Sequence, residues 1–189
     1  MTRGWFKVNG IRPDGDRTLK EQAIGLKDAL VECVGKSVLD LGCAEALISR
    51  EFAQAGALEV VGIEVLETHL QVARQVCKDL PVRFICAHLR DYILEHPEPE
   101  QFEIVLALGI IHKLHDPAVP LRWAAQSTKD LLLFRGPGRE SLKTWNGTIK
   151  SKHTGTACNV PEIMKSEGFA IEQVIDGVRG EAVHYYRRK

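Results

Sequence analysis

An acid, a stretch of small residues and a second acid make up the most chemically suggestive segment of this chain. Val38-Leu39-Asp40-Leu41 is a short apolar strand pattern carrying an acid near its end, and Gly42-Cys43-Ala44-Glu45-Ala46 follows as a loop of mostly small residues. Small side chains at such a place let a ligand approach the backbone closely. Glu64 closes the next apolar stretch, 22 residues after Gly42. A carboxylate there can accept hydrogen bonds from both hydroxyls of a ribose. The ligand would lie beyond the carboxyl ends of parallel strands, where sheets of this kind bind. A dinucleotide fingerprint, Gly-x-Gly-x-x-Gly, is not met, because Gly42 is followed by Ala44 and Leu47. The plainer alternative is that Asp40 caps the following helix and the alanines only allow close packing.

Such a loop needs strands and helices in alternation, and the chain supplies them. Residues 1–17 read as an irregular N-terminal arm. Thr18 and Glu21 have capping-box spacing, and Leu19, Ala23, Leu26 and Leu30 share one helical face, so a helix is expected over 18–35. Strands are expected at Ser37–Leu41, Glu59–Ile63, Val82–Cys86, Glu103–Leu108 and Asp130–Arg135, with helix faces at Ile48, Phe52 and Ala55 and at Leu66, Leu70, Ala73 and Cys77, and a helix beginning near Asp116-Pro117 or at Pro120. The region after Gly136 shows no clear period for about two dozen residues. A short helix at Pro161–Glu167 follows, then two strands, Phe169–Ile175 and Ala182–Arg187, joined tightly and therefore antiparallel. The expected fold is α/β: one domain over residues 1–189 with a doubly wound, mostly parallel seven-stranded sheet and a C-terminal antiparallel hairpin. Residues 36–189 form its α/β core.

Composition limits the function. The chain has 189 residues, 44% hydrophobic and 26% charged, with 25 Lys+Arg against 25 Asp+Glu. Bulk attraction to a polyanion is therefore excluded, though a local basic patch is not. The longest apolar run, residues 104–111, is far short of a bilayer span. The first residues, with Trp5 and Lys7, do not read as a secretion signal. Cys33, Cys43, Cys77, Cys86 and Cys158 are scattered and odd in number. They are expected as buried, reduced thiols of a cytoplasmic protein rather than a disulfide framework or zinc site. His112 and His115 lie three apart and lack a nearby carboxylate triad, so no iron or zinc site is expected.

The segment Asp40–Ala46 resembles the first motif of class I, Rossmann-like S-adenosylmethionine-dependent methyltransferases, Asp/Glu-x-Gly-x-Gly-x-Gly, with Ala44 and Ala46 in place of the later glycines. Val60-Val61-Gly62-Ile63-Glu64 resembles the family's second motif and Phe102–Gly109 its fourth. Ile110–Pro117 is similar to its frequent pattern of apolar residues, His-His-Leu and Asp-Pro, with Lys113 in place of the second histidine. The resemblance covers roughly residues 18–187. It implies S-adenosylmethionine as cofactor. Asp40 and the backbone of Gly42, Cys43 and Ala44 would hold its amino-acid end, Glu64 its ribose, and Leu108 and Gly109 its floor. The adenine amino group would meet His88, beside Leu89, or else Asp91.

On the acceptor side, His112 lies just past the fourth strand, where the methyl group should be, and is the candidate proton acceptor. Its other reading is a residue that only shapes the pocket. Trp5, Arg12 and Arg17 lie in the arm, which is either a lid or a surface arm. Arg135, Arg139, Lys143, Lys150, Lys152 and His153 with Trp145 form a basic, aromatic segment that could hold an anion or stack a base. Three functions follow. The first is methyl transfer to oxygen or nitrogen of an unidentified acceptor. The second is a catalytically silent binding module, suggested by Ala44, Ala46 and His88. The third is an RNA-directed methyltransferase using residues 135–153.

Overall fold

The structure is a computed structural model that describes residues 4–136, 146–177 and 181–189. The chain divides into two compact units, Met1–Leu89 and Arg90–Lys189.

The first unit holds α1 (Leu19–Gln22), α2 (Lys27–Glu32), β1 (Ser37–Leu41), α3 (Leu47–Gln54), β2 (Glu59–Glu64), α4 (Glu67–Val76) and β3 (Val82–Cys86). β1 pairs in parallel with β2, Ser37 opposite Glu59, and β2 with β3, Val60 opposite Val82. Every residue of β1 is buried, as expected for a parallel strand covered on both faces. α3 turns Leu47, Ile48, Phe52 and Ala53 inward. Phe52 is wholly buried, and truncating such a ring costs about 3–5 kcal/mol.

The helix expected over 18–35 is two helices. The Thr18–Glu21 capping box is present, but Gly25, at φ 82°, breaks the chain between α1 and α2. The buried face is also rotated: Gln22, Leu26, Ala29 and Cys33 point inward, while Leu19, Ala23 and Leu30 are only half-buried. The spacing of the expected stripe survives, displaced by three residues.

The helix α5 (Leu89–Glu95), which periodicity did not reveal, leads into the second unit. There lie β4 (Phe102–Leu108), a 3-10 turn at Ile111–Lys113, α6 (Ala118–Gln126), β5 (Thr128–Arg135), β6 (Thr148–Lys150), β7 (Ala157–Asn159), α7 (Val160–Ser166), β8 (Phe169–Ile175) and β9 (Val183–Arg188). α6 starts after Pro117, with the Asp116 carboxylate accepting from the Ala118 N–H at 3.0 Å. Asn159 caps α7 in the same way, accepting from Glu162 N–H at 3.0 Å. β4 and β5 are parallel, and β9 runs antiparallel to both β5 and β8. The stretch that lacked periodicity contains the small antiparallel pair β6–β7. Three residues per strand is too short for an alternation to show.

The strands order as β3-β2-β1-β4-β5-β9-β8 in one mostly parallel seven-stranded sheet, the expected architecture with its antiparallel end. Among the described residues, no helix is long and apolar enough to cross a membrane.

Candidate functional site

In the first unit, the loop between β1 and α3 folds back onto the end of β2. The N–H groups of Gly42 and Cys43 both donate to the Ile63 carbonyl, at 2.8 and 3.1 Å. Glycine at 62 makes this possible, because a Cβ there would stand 2.7 Å from the Cys43 sulfur. Ala44 and Ala46 both take left-handed backbone, at φ 51° and 57°. Alanine's helical preference predicts Ala46 in the first turn of α3; instead it occupies the N-cap position in the left-handed region. The loop thus keeps a glycine-like path with alanines in it. The conformation costs roughly 1–2 kcal/mol per residue. Burial of the Ala46 methyl among Cys43, Leu70, Ala73 and Cys77 offsets part of that.

The two acids sit on either side of this loop. Asp40 is 4% exposed, and its Oδ2 accepts from the Ser49 hydroxyl at 2.6 Å. Burial raises its pKa to about 6; the Ser49 hydrogen bond opposes the rise and the nearby Glu64 charge adds to it. Glu64 accepts the Ala44 N–H on Oε2 at 3.1 Å and the Leu66 N–H on Oε1 at 2.9 Å. An ionised carboxylate has about four acceptor positions, so capacity for two hydroxyls remains. Burial pushes the Cys43 thiol far up and the Cys77 thiol to about 12, which makes both inert. Four of the five cysteines are buried; Cys86 is exposed, against expectation.

Two residues that the sequence did not single out lie at the heart of this unit. Glu45, fully buried, accepts from the Trp5 and Phe6 N–H groups at 3.0 and 2.9 Å and from the Arg12 guanidinium at 3.1 Å. His69, on α4 and 6% exposed, stands 3.6 Å from Glu45 Oε1 through Nε2 and 3.7 Å from Glu64 Oε1 through Nδ1. By type and place, Glu45 reads as an ordinary acid at a helix start. His69 lies on the otherwise apolar face of α4, and that was its one available signal. The arm brings Trp5 and Arg17 together, the guanidinium carbon 5.4 Å from the ring centroid. His88 is exposed just before α5, and Leu89 behind it is buried.

In the second unit, Leu108 pairs with Arg135 across β4 and β5, and the Gly109 N–H donates to the Arg135 carbonyl at 3.0 Å. Arg135 is 3% exposed. The 3-10 turn that follows buries His112. Its Nδ1 has no hydrogen-bond partner among the described residues. Burial lowers its pKa to about 4, helped by the charges of Lys152 and Lys113. The ring is therefore neutral at pH 7. The loop between β6 and β7 is fastened to this turn. The Lys152 N–H donates to the His112 carbonyl at 2.9 Å, the Thr154 hydroxyl donates to the His115 carbonyl at 2.6 Å, and the His115 and His153 rings stack at 5.1 Å. Trp145, Arg139 and Lys143 lie outside the described residues. Among the described residues, no group of three or more His, Cys, Asp or Glu could hold a metal ion.

Residues 38–130 match the family model of a methyltransferase domain. The similarity is to a methyltransferase domain and takes up about half of the chain. The chain is 29% identical over 162 residues to the ubiquinone biosynthesis O-methyltransferase of Haemophilus ducreyi, covering 80% of this chain and 63% of that protein. The enzyme of that name from Stutzerimonas stutzeri is 31% identical over 102 residues, 54% of this chain and 44% of that protein. The chain thus spans less than two thirds of the length of these curated relatives. Its fold is shared with a putative S-adenosylmethionine-dependent methyltransferase from Listeria monocytogenes, at TM-score 0.68 and 18% identity, covering 90% of this chain and 99% of that one. It is also shared with magnesium protoporphyrin IX methyltransferase from Synechocystis with bound S-adenosylhomocysteine, at TM-score 0.65 and 16% identity, covering 93% and 90%.

Proposed function

We propose that this protein transfers a methyl group from S-adenosylmethionine to a hydroxyl oxygen of an acceptor. The observation that carries the reading is the Ala44–Glu64 arrangement. A loop of left-handed residues hands one N–H to a buried carboxylate that still has room for two donors. These groups fit a ribose. Asp40 suits the cationic amino-acid end, because a buried carboxylate gains from a positive partner. The alanines that suggested a silent scaffold leave the loop path intact, which favours a working cofactor site.

The cofactor, when bound, supplies a methyl group already activated by its positive sulfur. The protein therefore needs mainly to align the nucleophile. His112 is suited to that task. Its neutral ring can accept a hydrogen bond from an acceptor hydroxyl. The positive charges of Lys152 and Lys113, which disfavour an imidazolium, favour the oxyanion that must develop on the acceptor. Transfer to oxygen is chosen over nitrogen because cationic surroundings help an oxygen nucleophile, and the named relatives are O-methyltransferases. Four buried thiols suit a reducing compartment, so the reading places the enzyme in the cytoplasm.

The test is calorimetry of the full chain with S-adenosylmethionine and S-adenosylhomocysteine, followed by incubation with methyl-labelled cofactor and hydroxyl or amine acceptors. Cofactor binding with label passing to hydroxyl acceptors is expected. No cofactor binding would sink the reading, and label passing only to amines would overturn the choice of oxygen.

A further inference from the structure

The mechanism above leaves Glu45 and His69 without a role, yet both are buried and charged or chargeable. Glu45 lies inside the cofactor loop, between Ala44 and Ala46, but its side chain turns away to the N-terminal arm. It gathers two backbone N–H groups and one guanidinium from residues 5–12. The arm is shaped for this. A Cβ at Gly4 would stand 2.5 Å from the Arg12 side chain and 3.0 Å from Glu45 Oε1, so glycine lets the arm close around the carboxylate without displacing Arg12. The arm holds itself in place as well: the Lys7 N–H donates to the Arg17 carbonyl at 2.8 Å, and the Arg17 N–H to the Trp5 carbonyl at 2.9 Å.

His69 links this anchor to the ribose acid. One ring nitrogen faces Glu45 Oε1, and the other faces Glu64 Oε1, the oxygen that also accepts from Leu66. Both nitrogens are buried and neither makes a hydrogen bond among the described residues, so the two carboxylates face them at ion-pair distance only. A ring with polar atoms at both ends, packed between two acids, fixes where each acid can point.

We propose that His69 is a positioning residue. It holds the Glu64 carboxylate toward the cofactor ribose and, through Glu45, makes docking of the arm and binding of the cofactor depend on each other. The proposal rests on Glu64 being the ribose acid. Coupling of this kind is reciprocal: the factor by which the docked arm tightens cofactor binding is the factor by which cofactor tightens the arm.

Calorimetry on the full chain tests it with S-adenosylhomocysteine and its 2′,3′-dideoxy analogue, which lacks the ribose hydroxyls. His69→Leu keeps bulk and removes both polar ends. It should weaken S-adenosylhomocysteine about tenfold, the size of one hydrogen bond to a charged group. It should weaken the dideoxy analogue less than about twofold. His69→Gln, which restores a polar end, should recover part of the loss, and it decides the matter if His69→Leu does not fold. Trypsin cleavage after Lys7 and Arg17 reports the arm. S-adenosylhomocysteine should slow it in the unaltered protein and should cease to do so in His69→Leu even at saturation. Equal losses for both ligands would reduce His69 to packing, and unchanged S-adenosylhomocysteine affinity in folded His69→Leu would overturn the proposal. Glu64→Gln separates the two levels. If it leaves S-adenosylhomocysteine binding unchanged, the ribose reading itself fails. If it weakens binding while His69→Leu does not, only the positioning role fails.

Discussion

The β1–α3 loop with Glu64 and the His112 turn with the β6–β7 loop are built in opposite ways. The first is made by neighbours along the chain: Asp40, Gly42, Ala44 and Ser49 fall within ten residues, and Glu64 follows on the adjacent strand. Its acids are held by backbone N–H groups and a hydroxyl. The second is assembled from segments about forty residues apart, as the Lys152–His112 and Thr154–His115 hydrogen bonds show. It buries an imidazole nitrogen without a partner among the described residues. A site for an invariant ligand can be written into one strand and turn. A site for a variable acceptor is left to loops, which alter without disturbing the sheet.

The contrast can be broken first at Asp40. A rise in pKa from 3.8 to about 6 corresponds to roughly 3 kcal/mol at about 1.4 kcal/mol per pH unit. The folded-state value is raised, so the folded protein binds the proton more tightly. This group's contribution is then most favourable below about pH 4 and is lost as pH rises through 6. Asp40→Asn should therefore raise the melting temperature at pH 7 by several degrees and remove that pH dependence. It should also weaken S-adenosylmethionine about a hundredfold, through loss of a buried charge facing the cofactor ammonium. A stabilised variant that binds cofactor normally would show that Asp40 serves only its hydrogen bond with Ser49.

His112→Gln probes the other region and should separate chemistry from binding. Turnover is expected to fall about tenfold or more, with calorimetric affinity for S-adenosylhomocysteine unchanged. An equal loss in both would move His112 into the cofactor site.

His184 gives a smaller effect, on stability only. Burial lowers its pKa to about 4, between Phe134 and Tyr186, whose rings lie 6.1 and 6.3 Å away. The unfolded chain binds that proton more readily, so stability is full above about pH 6.5 and falls as pH drops toward 4. This is opposite in sign to Asp40 over an overlapping window. His184→Phe should flatten the acid side of a melting-temperature profile; an unaltered slope would refute the assignment.

The smallest effects belong to the alanines. Ala44→Gly should relieve left-handed strain, stabilise by about 1 kcal/mol and leave cofactor affinity equal or tighter. Ala46→Gly gains the same relief but loses a fully buried methyl worth about 0.8 kcal/mol. Its net change should stay within about 0.5 kcal/mol, where a helical Ala46 would have required a clear loss. Urea denaturation of both variants measures this.

How much of this could be read from the residues follows the same divide. β1, β3 and β8 lie where apolar runs placed them, at Ser37–Leu41, Val82–Cys86 and Phe169–Ile175; β1 is buried throughout, while β3 and β8 are partly exposed edge strands that still carry apolar residues along their length. Asp40 and Glu64 were legible because a strand end fixes them. The break at Gly25 was hidden, since a glycine inside a helical pattern is often tolerated. The partnership of Glu45, His69 and the arm was hidden more deeply. It joins residues 5, 12, 45, 64 and 69, and no local spacing encodes a meeting of that kind. The conformation of Ala46 was misjudged because alanine's helical preference outweighed the loop it closes.

The last strand in the chain is not the last in the sheet. β9 lies between β5 and β8, and Arg188 at its end donates to the carbonyls of Thr128 and Ala125 at 2.6 and 2.8 Å. During synthesis, β5 therefore leaves the ribosome with one hydrogen-bonding edge bare and waits about fifty residues for its partner. At roughly 5–20 residues per second, that wait lasts several seconds. Throughout it, Leu131-Leu132-Leu133-Phe134 is an apolar strand with an open edge, the kind of segment that pairs with another copy. The yield of soluble protein from a cell should thus depend on how quickly translation runs from residue 135 to 188, even though the finished fold holds that strand at its centre.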